Sequence, residues 1–188
     1  MILPFTSTQA DVLLAGGKGA NLARLTRAGF LITRGFIVST EAYPAFVDAN
    51  HLAHRISETL EAVAGLTSND AAQDEVQHAA LLEVVSTCIR TVFSAAVMPT
   101  DLEVTLRLAY HELPGATSGA TSGATSGAAT TEDLPSLSFA GQHDTCLNVI
   151  GADAVLKAVV RCWSSLWSTR AIGYRTARHE VNQVAVRE

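Results

Sequence analysis

The chain is 188 residues long, 48% of them hydrophobic and 16% charged, with a formal net charge of -5. That length can bury a core and fits one domain or a large part of one, and the composition excludes a disordered chain. The acidic balance argues against nucleic acid as a partner, and without an apolar run of about 18 residues no membrane-spanning helix is expected.

Met1-Ile2-Leu3-Pro4-Phe5 has no basic stretch and no long apolar run, so no secretory signal is expected. The first chemical feature is Gly16-Gly17-Lys18-Gly19-Ala20-Asn21-Leu22. It reads as a flexible lysine loop leading into a helix. Successive backbone N–H groups at such a place accept an anion, and the ammonium adds a point charge for a phosphate. The spacing is not that of a Walker A loop. Taken alone, the motif more often describes an exposed lysine at a helix start.

The helix after the loop is expected to bury Leu22, Leu25 and Phe30, with Gly29 as its stop. Leu31 to Ser39 reads as a strand. Thr40 reads as the N-cap of a helix through Tyr43, Phe46 and Val47, in which Pro44 falls within the first turn. His51 to Ala64 reads as a further helix, with Leu52, Ile56, Leu60 and Val63 at helical spacing. Ser68-Asn69-Asp70 marks a turn. Ala71 to Val97 is helical for much of its length, with a stripe of Leu81, Val84, Val85, Cys88, Ile89, Val92 and Phe93. Pro99-Thr100-Asp101 opens a helix carrying Leu102, Val104, Leu106, Leu108 and Ala109, which Pro114-Gly115 ends.

Ala116-Thr117-Ser118-Gly119 then recurs as Ala120 to Gly123 and Ala124 to Gly127. The tract has no apolar mass to offset its ordering entropy, so residues 115–128 are expected to be a mobile loop. Thr130 and Thr131 offer hydroxyls to a phosphate. Glu132 and Asp133 fit a turn cap, a cation site or a solvated acidic turn. In Gly141-Gln142-His143-Asp144-Thr145 the glycine permits close backbone approach, and the Gln142 amide and Thr145 hydroxyl can bond phosphate oxygens. The same segment also reads as a tight turn before a strand over Leu147 to Ile150. No metal site is expected at His143 and Asp144, because adjacent strand residues point to opposite faces.

Ala152 to Arg178 reads as one long helix, whose Trp163, Trp167 and Tyr174 are assigned to the core. Arg170 and Arg175 are expected to tie it to neighbouring carboxylates. His51 and His54 lack a third metal ligand and are read as surface residues, as are His78, His111 and His179. Cys88, Cys146 and Cys162 form no C-x-x-C pair and read as free buried thiols in a reducing cytoplasm.

Four blocks in order carry a family resemblance: Gly16 to Leu22, Gly35 to Tyr43, Thr130 to Val149 and Arg161 to Arg175. They resemble G-G-K-G-A-N-L, P-P-G-F-V-V-T-T-E-A-Y, V-R-S-S-A-T-A-E-D-L-P-x-A-S-F-A-G-Q-x-D-T-x-L-N-V and R-C-W-A-S-L-W-T-x-R-A-I-x-Y-R. These belong to the nucleotide-binding domain of the phosphoenolpyruvate synthase family, which includes pyruvate phosphate dikinase and rifampicin phosphotransferase. The resemblance implies an α+β (α/β) fold over residues 1–188, the N-terminal subdomain of an ATP-grasp fold, helix-rich with a small mixed sheet. It implies ATP as ligand, with Lys18, Gly141, Gln142, Thr145 and Thr130 around the phosphates. It also implies phosphoryl transfer through a phosphohistidine domain to pyruvate or another acceptor, in the cytoplasm.

Two departures bear on activity. Aligning Glu132-Asp133-Leu134-Pro135 with E-D-L-P places Ser126 where the family has an arginine, and a serine cannot replace that charge. Second, the resemblance implies another half of the nucleotide clamp, with its Mg2+ ligands, which is expected to lie outside residues 1–188. The expected partner is therefore that C-terminal half or a separate polypeptide, and the chain alone is expected to be inactive. The alternative is a catalytically inactive nucleotide-binding or regulatory module, or a decayed fragment.

Overall fold

Helix after helix buries apolar residues four apart, which the 3.6-residue period places on one face. The computed structural model describes residues 1–67, 75–114, 123–126 and 144–176, with side chains within 1–62, 77–114 and 144–174. The helices are α1 (Val12–Arg27), α2 (Ala42–Ala49), α3 (Leu52–Thr67), α4 (Glu75–Ala95), α5 (Thr100–His111), α6 (Ala152–Ser165) and α7 (Thr169–Thr176). The strands are β1 (Ile2–Pro4), β2 (Phe36–Val38), β3 (Gly123–Ser126) and β4 (Thr145–Val149). On α4 the buried residues include Val85, Ile89 and Phe93, and on α5 they are Leu102, Leu106 and Tyr110.

One apolar cluster joins α2, α3, α4 and the α6–α7 junction through Phe46, Ile56, Ile89, Phe93, Trp167 and Ile172. Trp167 is fully buried, and its indole N–H donates to Tyr43 Oη at 3.1 Å, satisfying both polar tips inside the core. A second cluster joins α5 and α6 to β4 through Leu106, Tyr110, Val149, Val155 and Val159. Trp163 packs against both clusters. Asn50 links the end of α2 to the α4–α5 connection. Its amide donates to the Phe46 and Val97 carbonyls at 2.9 Å, and its Oδ1 accepts from Val97 N–H at 2.8 Å. Arg107 joins α5 to the first turn of α6, lying 2.8 Å from Glu103 Oε1 and 2.6 Å from Asp153 Oδ1. Hydrogen bonding to Glu103, then to Asp153, raises its pKa.

β1 and β2 pair antiparallel, as do β3 and β4, so the described residues form two separate two-stranded antiparallel ribbons where a mixed sheet is expected. Of the strand expected over Leu31 to Ser39, only Phe36–Val38 forms, opposite Ile2–Pro4. Within the Ala-Thr-Ser-Gly tract, expected as a loop, Gly123–Ser126 pairs with β4. The remainder of that tract, the turn at Ser68 and the acidic pair Glu132-Asp133 lie outside the described residues. The single long helix expected over Ala152 to Arg178 breaks at Leu166-Trp167-Ser168. The break lets Leu166 and Trp167 both turn into the core.

Gly29 stops α1 as expected. It has φ 83°, its N–H bonds the Thr26 carbonyl, and the Phe30 N–H bonds the Leu25 carbonyl, a Schellman closure. The buried face of α1 differs from the expected one. Leu25 and Phe30 are exposed, and Ala15, Gly19 and Ala23 are buried. Small residues allow the helix axis to approach β2 closely, where larger side chains would hold it off. In the α4 stripe Val84 is exposed, and so is Cys88, against the expectation of a buried thiol. His51 is exposed, and His54 lies 3.5 Å from Glu58 one turn on. Arg170 is exposed with no ion pair among the described residues, and the Arg175 side chain lies outside them.

Candidate functional site

The lysine motif is part of α1, in place of the expected loop. Asp11 caps the helix start, its Oδ1 accepting from Leu14 N–H at 2.8 Å. The helix then breaks at Gly16, whose φ of 62° and ψ of 167° lie far from helical values. That conformation is essentially restricted to glycine. Helical geometry resumes directly, so Lys18 stands exposed in the first turn of the second segment.

Thr40 secures the break. Its hydroxyl donates to the Leu13 carbonyl at 2.6 Å and its backbone N–H to the Leu14 carbonyl at 2.9 Å. In an unbroken helix those two carbonyls would accept from Gly17 and Lys18. Thr40 does not take the expected place as cap of α2, which begins at Ala42 behind Glu41 and has no side-chain cap. Two distant backbone acceptors outcompete the local cap, and nothing in the residues around Thr40 signals that role.

The glycines of the motif divide their tasks. Gly16 supplies the conformation of the break. Gly19 supplies close packing, since a Cβ there would lie 3.1 Å from Ala15 Cβ and 3.2 Å from Ile37 Cγ2. Gly16, Gly17 and Gly19 are all buried, leaving the Lys18 side chain as the exposed charged group of the motif.

The later motif reaches the structure at Asp144 and Thr145. Thr145 opens β4, is exposed, and stands opposite Ser126 of β3 in the ladder. The position aligned with the family arginine is thus paired by backbone register with the hydroxyl assigned to phosphate. Asp144 is held on every side. Its N–H donates to Ser165 Oγ at 3.0 Å, and its carbonyl accepts from Cys162 Sγ at 3.4 Å. Its carboxylate lies 3.4 Å from an Arg90 nitrogen and 3.7 Å from Arg161 Nε. This aspartate anchors the start of β4 to α4 and α6, a role that adjacency to His143 did not suggest. Gly141, Gln142 and Thr130 lie outside the described residues, as does His143. Lys18 belongs to α1 beside β2, and Thr145 belongs to β4 packed on α6.

Among the described residues no group of three His, Cys, Asp or Glu side chains could hold a metal ion. No single described helix is long and apolar enough to cross a membrane.

A glycine-broken helix start with an exposed lysine is an anion-accepting element, suited to a phosphate-bearing ligand. The chain belongs to the family described as the pyruvate phosphate dikinase AMP/ATP-binding domain, whose profile matches residues 12–186. It is 36% identical to a probable phosphoenolpyruvate synthase of Staphylothermus marinus, over 95% of this chain and 21% of that protein. It is 39% identical to a probable phosphoenolpyruvate synthase of Methanothermobacter thermautotrophicus, over 88% of this chain and 23% of that one. Identity to the phosphoenolpyruvate synthase of Pyrococcus furiosus is 35%, again over 88% of this chain and 23% of the relative. The chain thus spans between a fifth and a quarter of these relatives' length.

Proposed function

We propose that this chain is the ATP-binding part of a phosphotransferase like the phosphoenolpyruvate synthases and pyruvate phosphate dikinases, built as the N-terminal subdomain of an ATP-grasp fold. The family match over residues 12–186 carries this reading. The break in α1 supports it, because it sets the Lys18 ammonium beside the start of a helical segment. There the lysine neutralises charge as a phosphoryl group transfers. Gly141 allows the backbone to approach the phosphates, and Gln142, Thr145 and Thr130 add hydrogen bonds. The reading assigns the opposite wall of the clamp, the magnesium ligands and the acceptor histidine to polypeptide other than these 188 residues. Magnesium, when bound, would neutralise charge on the phosphate oxygens; holding and orienting the triphosphate on this side falls to Lys18 and the later loop. Free thiols at Cys88, Cys146 and Cys162 are compatible with the cytoplasm as location.

On this reading the chain alone binds ATP weakly and releases no phosphate. Thermal unfolding with and without Mg-ATP tests it. The expected result is stabilisation at millimolar ATP that disappears in Lys18→Ala. No stabilisation, or stabilisation that survives Lys18→Ala, overturns the site. Phosphate release above background, or micromolar affinity by titration calorimetry, overturns the inactivity of the isolated chain. A second reading, a nucleotide-binding module without catalysis, is favoured by Ser126 in place of the family arginine.

A further inference from the structure

We propose that the groove between α4 and α6 is a separate binding site for a small organic phosphate with an apolar body. The groove encloses about 840 Å3, within the range of small-molecule sites. Two helical faces build it. Ser86, Thr87, Arg90 and Ser94 line it from α4, and Lys157 and Arg161 line it from α6.

The two helices run antiparallel. Thr169, just past α6, donates to Glu83 in the middle of α4 at 2.7 Å, and Arg161 meets Arg90, two turns further along α4, at the shared Asp144 carboxylate. The groove therefore has an order along its length. Arg90 and Arg161 stand at its middle, and Ala96, Met98 and Leu156 form an apolar end beside Lys157.

Charge in the groove is under-compensated in a protein whose net charge is -5. One carboxylate, Asp144, serves two guanidiniums at 3.4 and 3.7 Å. Lys157 has no ion-pair partner among the described residues. Glu83, at the far end, accepts a hydrogen bond from the Thr169 hydroxyl at 2.7 Å. The Thr91 and Ser94 hydroxyls donate to carbonyls of their own helix, so the cations are the charged donors that meet an incoming anion. Residues 157 and 161 lie one helical turn apart, about 6 Å along the axis. A dianionic phosphate can thus engage both while its organic body rests on Met98 and Leu156. The chemistry is charge-assisted hydrogen bonding at one end and apolar burial at the other.

Titration of the full chain with phenyl phosphate, followed by backbone amide chemical shifts, tests the assignment. Phenol and inorganic phosphate serve as the two half-ligands. Phenyl phosphate is expected to saturate at least about tenfold more tightly than either, with shifts along α4 and α6. Lys157→Gln, which touches no described partner, and the double variant with Arg161→Gln are each expected to weaken it, the double by about tenfold or more. Lys18→Ala is expected to leave it unchanged. Absence of saturation, undiminished binding by the double variant, or loss in Lys18→Ala would each overturn the proposal, the last by returning the anion to the α1 site.

Discussion

Gly16→Ala isolates the break that presents Lys18. At φ 62° and ψ 167° the glycine occupies a region that an L side chain enters only under strain, at a cost of about 1–3 kcal/mol. Alanine returns about 0.4–1 kcal/mol by restricting the unfolded chain. The difference leaves a net destabilisation of about 1.5 kcal/mol, worth roughly 3–6 °C in Tm for a chain of this size. The variant can relieve its strain by closing the helix. Closure requires the Leu13 and Leu14 carbonyls to leave Thr40, so it removes two hydrogen bonds outside the helix and re-aims Lys18. Either route lowers the urea midpoint, and the second also abolishes stabilisation by ATP. Thr40→Val removes the hydroxyl bond alone and is expected to move both readouts the same way, by a smaller step. A Gly16→Ala protein as stable as the parent, with its ATP response intact, would refute the reasoning that tertiary contacts hold this break for Lys18.

Phe93→Ala empties a fully buried aromatic site stacked against Tyr43 and Phe46; a loss of about 3–5 kcal/mol is expected in denaturant unfolding, and a loss below about 1 kcal/mol would mean that this cluster is not packed as described. Asp144→Asn keeps the backbone bonds to Ser165 and Cys162 but removes the charge facing Arg90 and Arg161. Because these groups are partly exposed, the expected cost is about 0.5–2 kcal/mol, and it should shrink between low and high salt; a salt-independent loss would show that the ion pairs are not its source. Ser126→Arg restores the family charge opposite Thr145 in the β3–β4 ladder. A gain of about tenfold or more in ATP affinity is expected by titration calorimetry, and no gain would separate this register position from the phosphate site.

The order of helices was legible because a helix writes its buried face into spacing that needs no knowledge of the rest of the fold. Leu52 with Ile56, Val85 with Ile89 and Phe93, and Leu102 with Leu106 are read from the chain and found buried. The family was legible for a related reason: ordered local motifs survive while their surroundings change. The candidate lysine was likewise visible, but its setting was not. Thr40 reaches back to Leu13 and Leu14, and Asp144 joins helices far from it in the chain. Such contacts link residues whose local sequence carries no sign of the partner.

By itself the sequence determined the order of the main helices, that the lysine motif runs into a helix, and to which family the chain belongs, because these depend on short-range periodicity and on local blocks. The tertiary structure alone decided that α1 breaks at Gly16, that Leu25 and Phe30 face outward, and that Trp167 interrupts the last long helix. Each of these outcomes is a competition between a local preference of about 1 kcal/mol and contacts from distant parts of the chain, and the distant contacts prevailed.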